Sequence, residues 1–384
     1  MKKVRRILAV CHELPPVGGG GGIGFLSILK AMPGGVTTDI ITAMGRGLRP
    51  VEKQGPVTIY RVGLARNINL ETQSSKLSAY TSLAVFSVCA FFKALSLCFR
   101  DRYDALYSNY LVPSGVIGTA VSALFRLRHV ATIVEGDIMD ASRSATVPHR
   151  GLIIPAAIKL AAGGAHRLLA ISGYSREMAI RHYGIARPIE VVNFGIERPP
   201  SVRAPERAAG LFTLSFLGRL VERKGLRFLF SAMKELPPEV RLVVIGEGPL
   251  AGELGTAAKE PGLEGRVLFA GRLDEKEKRA ALESSDAFVF PSVREGLGLV
   301  AMEAMAAGLP VISTRNGGTT DFMDEGTNAL YVDYGSVEQL KEAILKLKND
   351  TGLRSAMGAA NLARSTAFFC DAVALRYLEA AESD

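Results

Sequence analysis

A chain of 384 residues with 48% hydrophobic and 22% charged positions has enough apolar surface to exclude intrinsic disorder, and more length than one core usually supports, which points to two domains. The formal net charge of +8 is uneven: residues 1–200 hold 24 Lys and Arg against 12 Asp and Glu, and the remainder holds 22 against 26. The basic residues stand singly, without a basic helix or interleaved aromatics, which argues against nucleic acid and leaves anionic lipid or a charged substrate as the partner of a basic N-terminal half.

In chain order, strand-like runs at 4–11, 37–43, 57–62, 104–108, 129–134, 166–171 and 189–192, separated by loops or helical stretches, predict a first parallel sheet in an α/β unit. The first run leads into Leu14-Pro15-Pro16-Val17-Gly18-Gly19-Gly20-Gly21-Gly22-Ile23-Gly24, ahead of a helix. Five consecutive glycines let main chain approach a ligand closely. Leu77 to Phe99 is the most apolar stretch and long enough to cross a bilayer. Lys93 lies inside it, hydroxyl residues interrupt it and the strand at Tyr103–Tyr107 follows, so it reads as a core helix, with a membrane span and a helix docked on a membrane surface as alternatives.

The Pro- and Arg-rich stretch from Glu197 to Pro205 reads as a domain linker. Beyond it, strands near 211–217, 240–245, 265–269, 286–290, 310–313 and 329–332 predict a second α/β unit, followed by helices from about Val337 onward. Gly246 and Gly248 end one of these strands like the opening of a dinucleotide fingerprint, but Pro249 follows, the third glycine is missing and no acidic residue stands where a ribose would need it. An oxidoreductase is therefore disfavoured. Cys11, Cys89, Cys98 and Cys370 have no metal-ligand spacing, and no secretory signal pattern is apparent. A reduced, cytoplasmic setting without disulfides or a bound metal is expected.

The segment from Ser292 to Gly318 places Glu295 and Glu303 around a glycine-rich loop and a helix start. Backbone N–H groups at Gly296, Leu297, Gly298 and Leu299, aided by the helix dipole, suit a phosphate. Glu295 would hydrogen-bond a hydroxyl, and Glu303, one to two turns into the helix, would accept from the paired hydroxyls of a ribose. The pattern points to a sugar nucleotide, although two exposed glutamates near a helix also occur by chance.

This segment resembles the Glu-x7-Glu motif of the retaining group-one, or family-four, glycosyltransferases. Phe216-Leu217-Gly218-Arg219-Leu220-Val221-Glu222-Arg223-Lys224-Gly225 is similar to that family's Gly-Arg loop with its following Lys-Gly, and the glycine run near the N-terminus looks like its Pro-Pro-x-x-Gly-Gly loop. The resemblance implies a GT-B fold, α/β with two Rossmann-like doubly wound domains facing a central cleft. It implies an acceptor-binding domain over 1–196, a nucleotide-sugar-binding domain over 197–368, and a C-terminal helix at 369–384 crossing back to the first domain. It also implies that Arg219 and Lys224 grip the donor diphosphate, that Gly19 and Gly20 close over the donor, and that Gly218, Gly246 and Gly248 line its pocket.

The same resemblance leaves a gap. Many relatives have Thr-x-His-Gly-x-Asp where this chain has Ala131-Thr132-Ile133-Val134-Glu135-Gly136-Asp137-Ile138. The histidine is missing, and Glu135 is either a group that orients a hydroxyl or takes a proton, or a structural carboxylate. His12 and His129 stand beside strands and read as satisfied core groups, with nothing to assign either to the site. Asn193-Phe194-Gly195-Ile196-Glu197 stands where relatives show Pro-Asn-Gly-Ile-Asp.

The implied reaction moves a sugar from a UDP- or GDP-sugar to a glycan or lipid-linked acceptor with retention at the anomeric carbon, in surface polysaccharide or glycolipid synthesis. No cofactor or metal would be required, and the basic half implies peripheral contact with an anionic membrane at its cytoplasmic face. An epimerase of the same fold, or a non-catalytic sugar- or lipid-binding relative, is the alternative.

Overall fold

The computed structural model describes residues 3–64, 76–137, 153–199 and 210–383, with backbone only for 76–79. The chain divides into two compact units, Met1–Glu197 together with Phe369–Asp384, and Arg198–Phe368. Much of the expected linker, residues 200–205, lies outside the described residues, as does Ile138 of the segment after the fifth expected strand.

Unit 1 is built on β1 (Arg6–Val10), β2 (Thr37–Ala43), β3 (Val51–Gln54), β4 (Val57–Val62), β5 (Ala105–Asn109), β6 (Arg128–Ile133), β7 (Arg167–Ala170) and β8 (Glu190–Val191), with α1 (Gly20–Lys30), α2 (Lys76–Arg100), α3 (Val116–Phe125), α4 (Ile153–Gly164) and α5 (Gly173–Tyr183) between them. The order in the sheet is β3-β4-β2-β1-β5-β6-β7-β8. Strand β1 is central, pairing Leu8 with Asp39 on one side and Leu106 on the other. Its near-continuous burial, shared by β5 and β6, is what a parallel strand covered on both faces demands.

The seven strands expected from sequence are all parallel, and the sheet carries one further strand. Strand β3 runs antiparallel to β4 at the sheet edge. Its sequence, Val51-Glu-Lys-Gln, carries a single apolar residue and is no more than half-buried, so it has no hydrophobic signature to read.

Helix α2 is a core helix on one side only. Phe86, Ala90, Ala94 and Leu97 recur at helical spacing and pack with Leu8, Val10, Ile41 and Leu106. The opposite side carries Val88, Phe92 and Phe99, all exposed.

Unit 2 contains β9 (Phe212–Leu217), β10 (Val240–Ile245), β11 (Val267–Gly271), β12 (Ala287–Phe290), β13 (Val311–Thr314) and β14 (Ala329–Val332). Its helices are α6 (Leu226–Glu235), α7 (Ala251–Ala257), α8 (Glu275–Glu283), α9 (Leu299–Ala306), α10 (Val337–Asn349) and α11 (Thr351–Ser365). The strands are parallel in the order β11-β10-β9-β12-β13-β14. Strands β9, β10 and β12 bury Leu214, Phe216, Leu242, Val244, Ala287 and Val289 in a core completed by Leu229 and Met233 of α6 and Ile344 and Leu347 of α10. The capping box of Asp274 and Glu277 starts α8, and Ser336 caps α10.

The last helix, α12 (Cys370–Glu382), belongs to unit 1. The Cys370 N–H donates to the Ile196 carbonyl at 2.9 Å, the buried Tyr107 hydroxyl donates to the Tyr377 carbonyl at 2.9 Å, and Val4 N–H donates to Glu382 Oε1 at 2.8 Å. The Asn193–Glu197 turn thus meets the start of α12, and Gly195 allows it: a Cβ there would lie 2.8 Å from Cys370 Cα.

Candidate active site

Unit 2 has the doubly wound order in which the second half of the sheet grows away from the first, so β9 and β12, neighbours in space, send their following helices to opposite faces. Ligands in such sheets bind beyond the carboxyl ends of the strands at that divide. The loop after β9 holds Gly218, Arg219 and, in a 3-10 turn over Glu222–Lys224, Lys224. The loop after β12 holds Glu295 and Gly296 to Gly298 and leads into α9.

These two loops are joined by a buried ion pair. Lys224 Nζ donates to Glu295 Oε1 at 2.6 Å, with the two side chains 7% and 9% exposed. Arg223 reaches the same oxygen at 3.5 Å, and the Lys224 ammonium stands 4.8 Å from the centre of the Phe290 ring. The Glu295 backbone is held as firmly, its N–H donating to the Asn316 carbonyl at 2.7 Å and its carbonyl accepting from Gly318 N–H at 2.9 Å. A carboxylate this buried is charged only at the cost of desolvation, which the ammonium and guanidinium offset.

Glu303 points to a second lysine. Lys278 Nζ, from α8, lies 2.8 Å from Glu303 Oε1 and 2.7 Å from Glu275 Oε2. Burial alone would lower the Lys278 pKa, but the Glu303 charge and hydrogen bonds to Glu275 and Glu303 outweigh it and hold the pKa above the ordinary value. Sequence reading singled out both glutamates and neither of these pairings. Lys278 sits 25 positions from Glu303 in a helix whose polar pattern reads as plain surface.

The glycines set the loop geometry. Gly298 caps α9 at φ +92° without any side-chain cap, a conformation other residues adopt only with strain. Gly246, at φ +130°, lets the loop after β10 press on the loop after β9, where an added Cβ would fall 2.0 Å from the Gly218 carbonyl oxygen. Gly248 packs against Leu220 in the same way. The half-buried Arg219 is therefore carried on a loop fixed by Gly218 N–H to the Ile245 carbonyl at 3.0 Å and Leu220 N–H to the Glu247 carbonyl at 2.9 Å. Leu297 is 4% exposed, so its side chain belongs to the core and only its main chain is available to a ligand. Leu299, half-buried, opens α9.

The remaining expected positions lie in unit 1, Gly19 and Gly20 at the corresponding divide between β1 and β5 and Glu135 after the neighbouring β6. Gly19 caps α1, Gly20 is its first residue, and an added Cβ at Gly19 would meet nothing within 4 Å. At Gly22 the same atom would lie 1.9 Å from the Glu13 carbonyl oxygen. The Tyr110 hydroxyl donates to Glu13 Oε2 at 3.2 Å, and its ring lies beside Gly21 and Gly136. Neither Glu13 nor Tyr110 was apparent from sequence. The signal available was position, since both stand just beyond central strands.

Glu135, half-exposed, opens the short turn Glu135–Asp137. The neighbouring Asp137 is structural: buried, it accepts from Leu111 N–H at 2.8 Å and from Val112 and Val134 N–H at 3.2 Å. Burial pushes its carboxyl up to about 7 against those three bonds. His12 and His129 are core groups, as expected from their place beside strands. His12 Nδ1 pairs with Ser114 Oγ at 3.3 Å and His129 Nε2 with Ser108 Oγ at 2.8 Å. Burial lowers both to about 4, which keeps them neutral at neutral pH. Among the described residues no three His, Cys, Asp or Glu side chains converge as a metal ion would require.

Residues 200–364 match the family model described as "Glycosyl transferases group 1". The chain is similar to two lipopolysaccharide core biosynthesis glycosyltransferases of Rhizobium meliloti. It is 42% identical to LpsE over 139 residues, 36% of this chain and 40% of that protein. It is 37% identical to LpsD over 184 residues, 47% of this chain and 53% of that protein. The matched stretches span about half or less of these relatives' lengths. The crystal structure of Anabaena HepE in complex with UDP-glucose is similar over 99% of this chain and 100% of that one, with a TM-score of 0.73 at 20% identity. At that identity the likeness concerns the fold, which is the two-domain GT-B fold expected from sequence.

Proposed function

We propose that this chain belongs to the group 1 glycosyl transferases, whose model matches residues 200–364, and transfers a sugar from a nucleoside diphosphate sugar to a glycan or lipid-linked acceptor with retention at the anomeric carbon. The observation that carries the reading is the meeting of the β9 and β12 loops at the divide of the unit 2 sheet, where Lys224, Glu295 and the start of α9 converge. The UDP-glucose complex of HepE supports a sugar nucleotide as donor, and the two lipopolysaccharide core biosynthesis relatives support an acceptor in glycolipid synthesis.

In this reading the start of α9 and the main chain of Gly296 to Leu299 face the diphosphate, with Gly218, Gly246 and Gly248 shaping the loops around it. Arg219 and Lys224 stabilise the charge that gathers on the departing nucleoside diphosphate, without a metal. Lys224 has donors beyond the one given to Glu295, so the ion pair directs the ammonium without consuming it. Glu295 binds a hydroxyl of the transferred sugar and Glu303 the ribose. The departing diphosphate takes the acceptor proton on the face from which it leaves, so little general-base machinery is needed. Unit 1 binds the acceptor, Gly19 and Gly20 offer main chain to the donor, and Glu135 orients a donor hydroxyl or takes a proton from the acceptor.

The test is calorimetric titration with UDP and with GDP in the presence of a chelator, wild type beside Glu303→Ala. Micromolar binding of one nucleotide, weakened by the substitution, is expected; binding of neither overturns the reading. Turnover of the donor with no acceptor present would instead identify an epimerase.

A further inference from the structure

The two faces of α2 pose a problem that the sugar-nucleotide site does not address. Residues Tyr80–Arg100 are long and apolar enough to cross a bilayer, yet they cannot span one, because Phe86, Ala90, Ala94 and Leu97 are locked into the core of unit 1. Nor are they an ordinary core helix, since only 28% of the stretch is buried. On the outer side Val88, Phe92 and Phe99 are 57%, 63% and 80% exposed. They share one helical face running about 20 Å from Ala84 to Phe99. Lys93 is the sole charged residue between positions 80 and 99, and its ammonium stands 4.4 Å from the centre of the Tyr60 ring. An uncharged stripe bearing two exposed phenylalanines marks a contact surface.

What the stripe contacts is indicated by its end. The Phe99 ring meets Phe125 edge-on at 5.2 Å, which brings the end of α3 alongside, where Leu124 and Arg126 are exposed. Arg100 ends α2 and Arg102 follows it, both exposed. Asp101, the acid between them, is already engaged by Arg6 at 2.9 Å and Arg100 at 2.8 Å. Apolar side chains bordered by cations match the boundary between acyl chains and anionic headgroups. A second copy of this chain is the rival occupant, and a parallel two-fold pairing along α2 would set the same arginines against one another.

We propose that the outer face of α2, with Leu124 of α3, docks the protein on an anionic lipid bilayer. Val88, Phe92 and Phe99 enter the headgroup boundary while Arg100, Arg102 and Arg126 meet lipid phosphates. The inference deepens the proposed lipid-linked acceptor by naming the surface that would meet the lipid. Its test needs no turnover, so its failure leaves the nucleotide site standing.

The experiment is co-sedimentation of the full chain with vesicles of phosphatidylcholine, with and without phosphatidylglycerol. Binding should require phosphatidylglycerol and weaken with salt. The pair Phe92→Ser and Phe99→Ser should lower the partition coefficient roughly tenfold or more, as should Arg102→Glu with Arg126→Glu. All four positions are exposed, so thermal midpoints should match wild type. Absence of binding to phosphatidylglycerol vesicles, or binding that the phenylalanine pair leaves unchanged, overturns the proposal. So does a dimer in sedimentation equilibrium that the phenylalanine pair dissociates, which would assign the face to a second copy.

Discussion

Lys224 and Glu295 stand 71 positions apart in the chain and 2.6 Å apart in space, tying the loop after β9 to the loop after β12. A buried pair of this kind adds little net stability over an apolar replacement, but either member alone is an uncompensated charge. Lys224→Met or Glu295→Leu should each cost roughly 3 kcal/mol, and the double variant should recover most of the loss. Urea midpoints of the three variants decide this. Additive losses would show that the pair is not coupled. Under the proposed function the double variant regains stability and no transfer activity.

Lys278 anchors Glu303 from α8. If Glu303 holds the ribose, Lys278→Met should weaken nucleotide binding roughly fivefold to tenfold by leaving the carboxylate unfixed, with a smaller effect than removal of Glu303 itself. Calorimetry on both variants ranks them. A stronger effect at Lys278 would reverse their roles and make the lysine the ligand contact.

Arg219 is carried on the loop pinned by Gly218 and Leu220. Its replacement by alanine should lower kcat by roughly 100-fold or more if it offsets charge on the departing diphosphate, and raise KM much less. Steady-state kinetics that show only a KM effect would confine Arg219 to ground-state binding.

Gly19 and Gly22 separate ligand contact from packing within one loop. An added methyl at Gly22 would meet the Glu13 carbonyl oxygen, whereas at Gly19 it would meet nothing. Gly22→Ala should destabilise the protein by about 1–3 kcal/mol, while Gly19→Ala should leave the thermal midpoint unchanged. Loss of transfer in the stable Gly19→Ala variant would then report contact with substrate; full activity would remove Gly19 from the site.

His12 and His129 make stability depend on acidity. Their native pKa values, lowered to about 4 from an ordinary 6.5, mean that the unfolded chain binds the extra protons. Stability is therefore full above about 6.5 and falls as pH drops toward 4, by about 3 kcal/mol at most for each histidine. The raised carboxyl of Asp137 acts with the opposite sign, its contribution being lost as pH rises toward about 7. A comparison of wild type with His129→Asn across that range isolates the histidine. Parallel pH profiles would contradict its buried, neutral state.

Both sheets were readable because central parallel strands are near-continuous apolar runs, as in Ile7 to Val10 and Ala287 to Phe290. Strand β3 was not, since an edge strand can be held by main-chain bonds to β4 without burying a hydrophobic stripe. At the site, Glu295, Glu303, Arg219 and Lys224 were visible through their motifs, but the motifs carry no information on who pairs with whom. The Lys224–Glu295 contact depends on strand order in the sheet, and the Lys278–Glu303 contact on how α8 lies beside α9. Similarly, Tyr110 was hidden because its position at φ +73° beside Gly21 becomes meaningful only once β1 and β5 are neighbours. The apolar run of α2 reads as a buried helix, and only packing reveals that most of it is not.

The return of α12 to unit 1 gives the two units different topological status. Unit 2 is one continuous stretch, whereas unit 1 is assembled from two segments that flank it, sealed where Val4 meets Glu382 and where Tyr107 meets Tyr377. Unit 2 is thus an insertion into unit 1. During synthesis it can close as soon as its own strands have emerged, while the sheet that precedes it waits, lacking one covering helix, until α12 arrives.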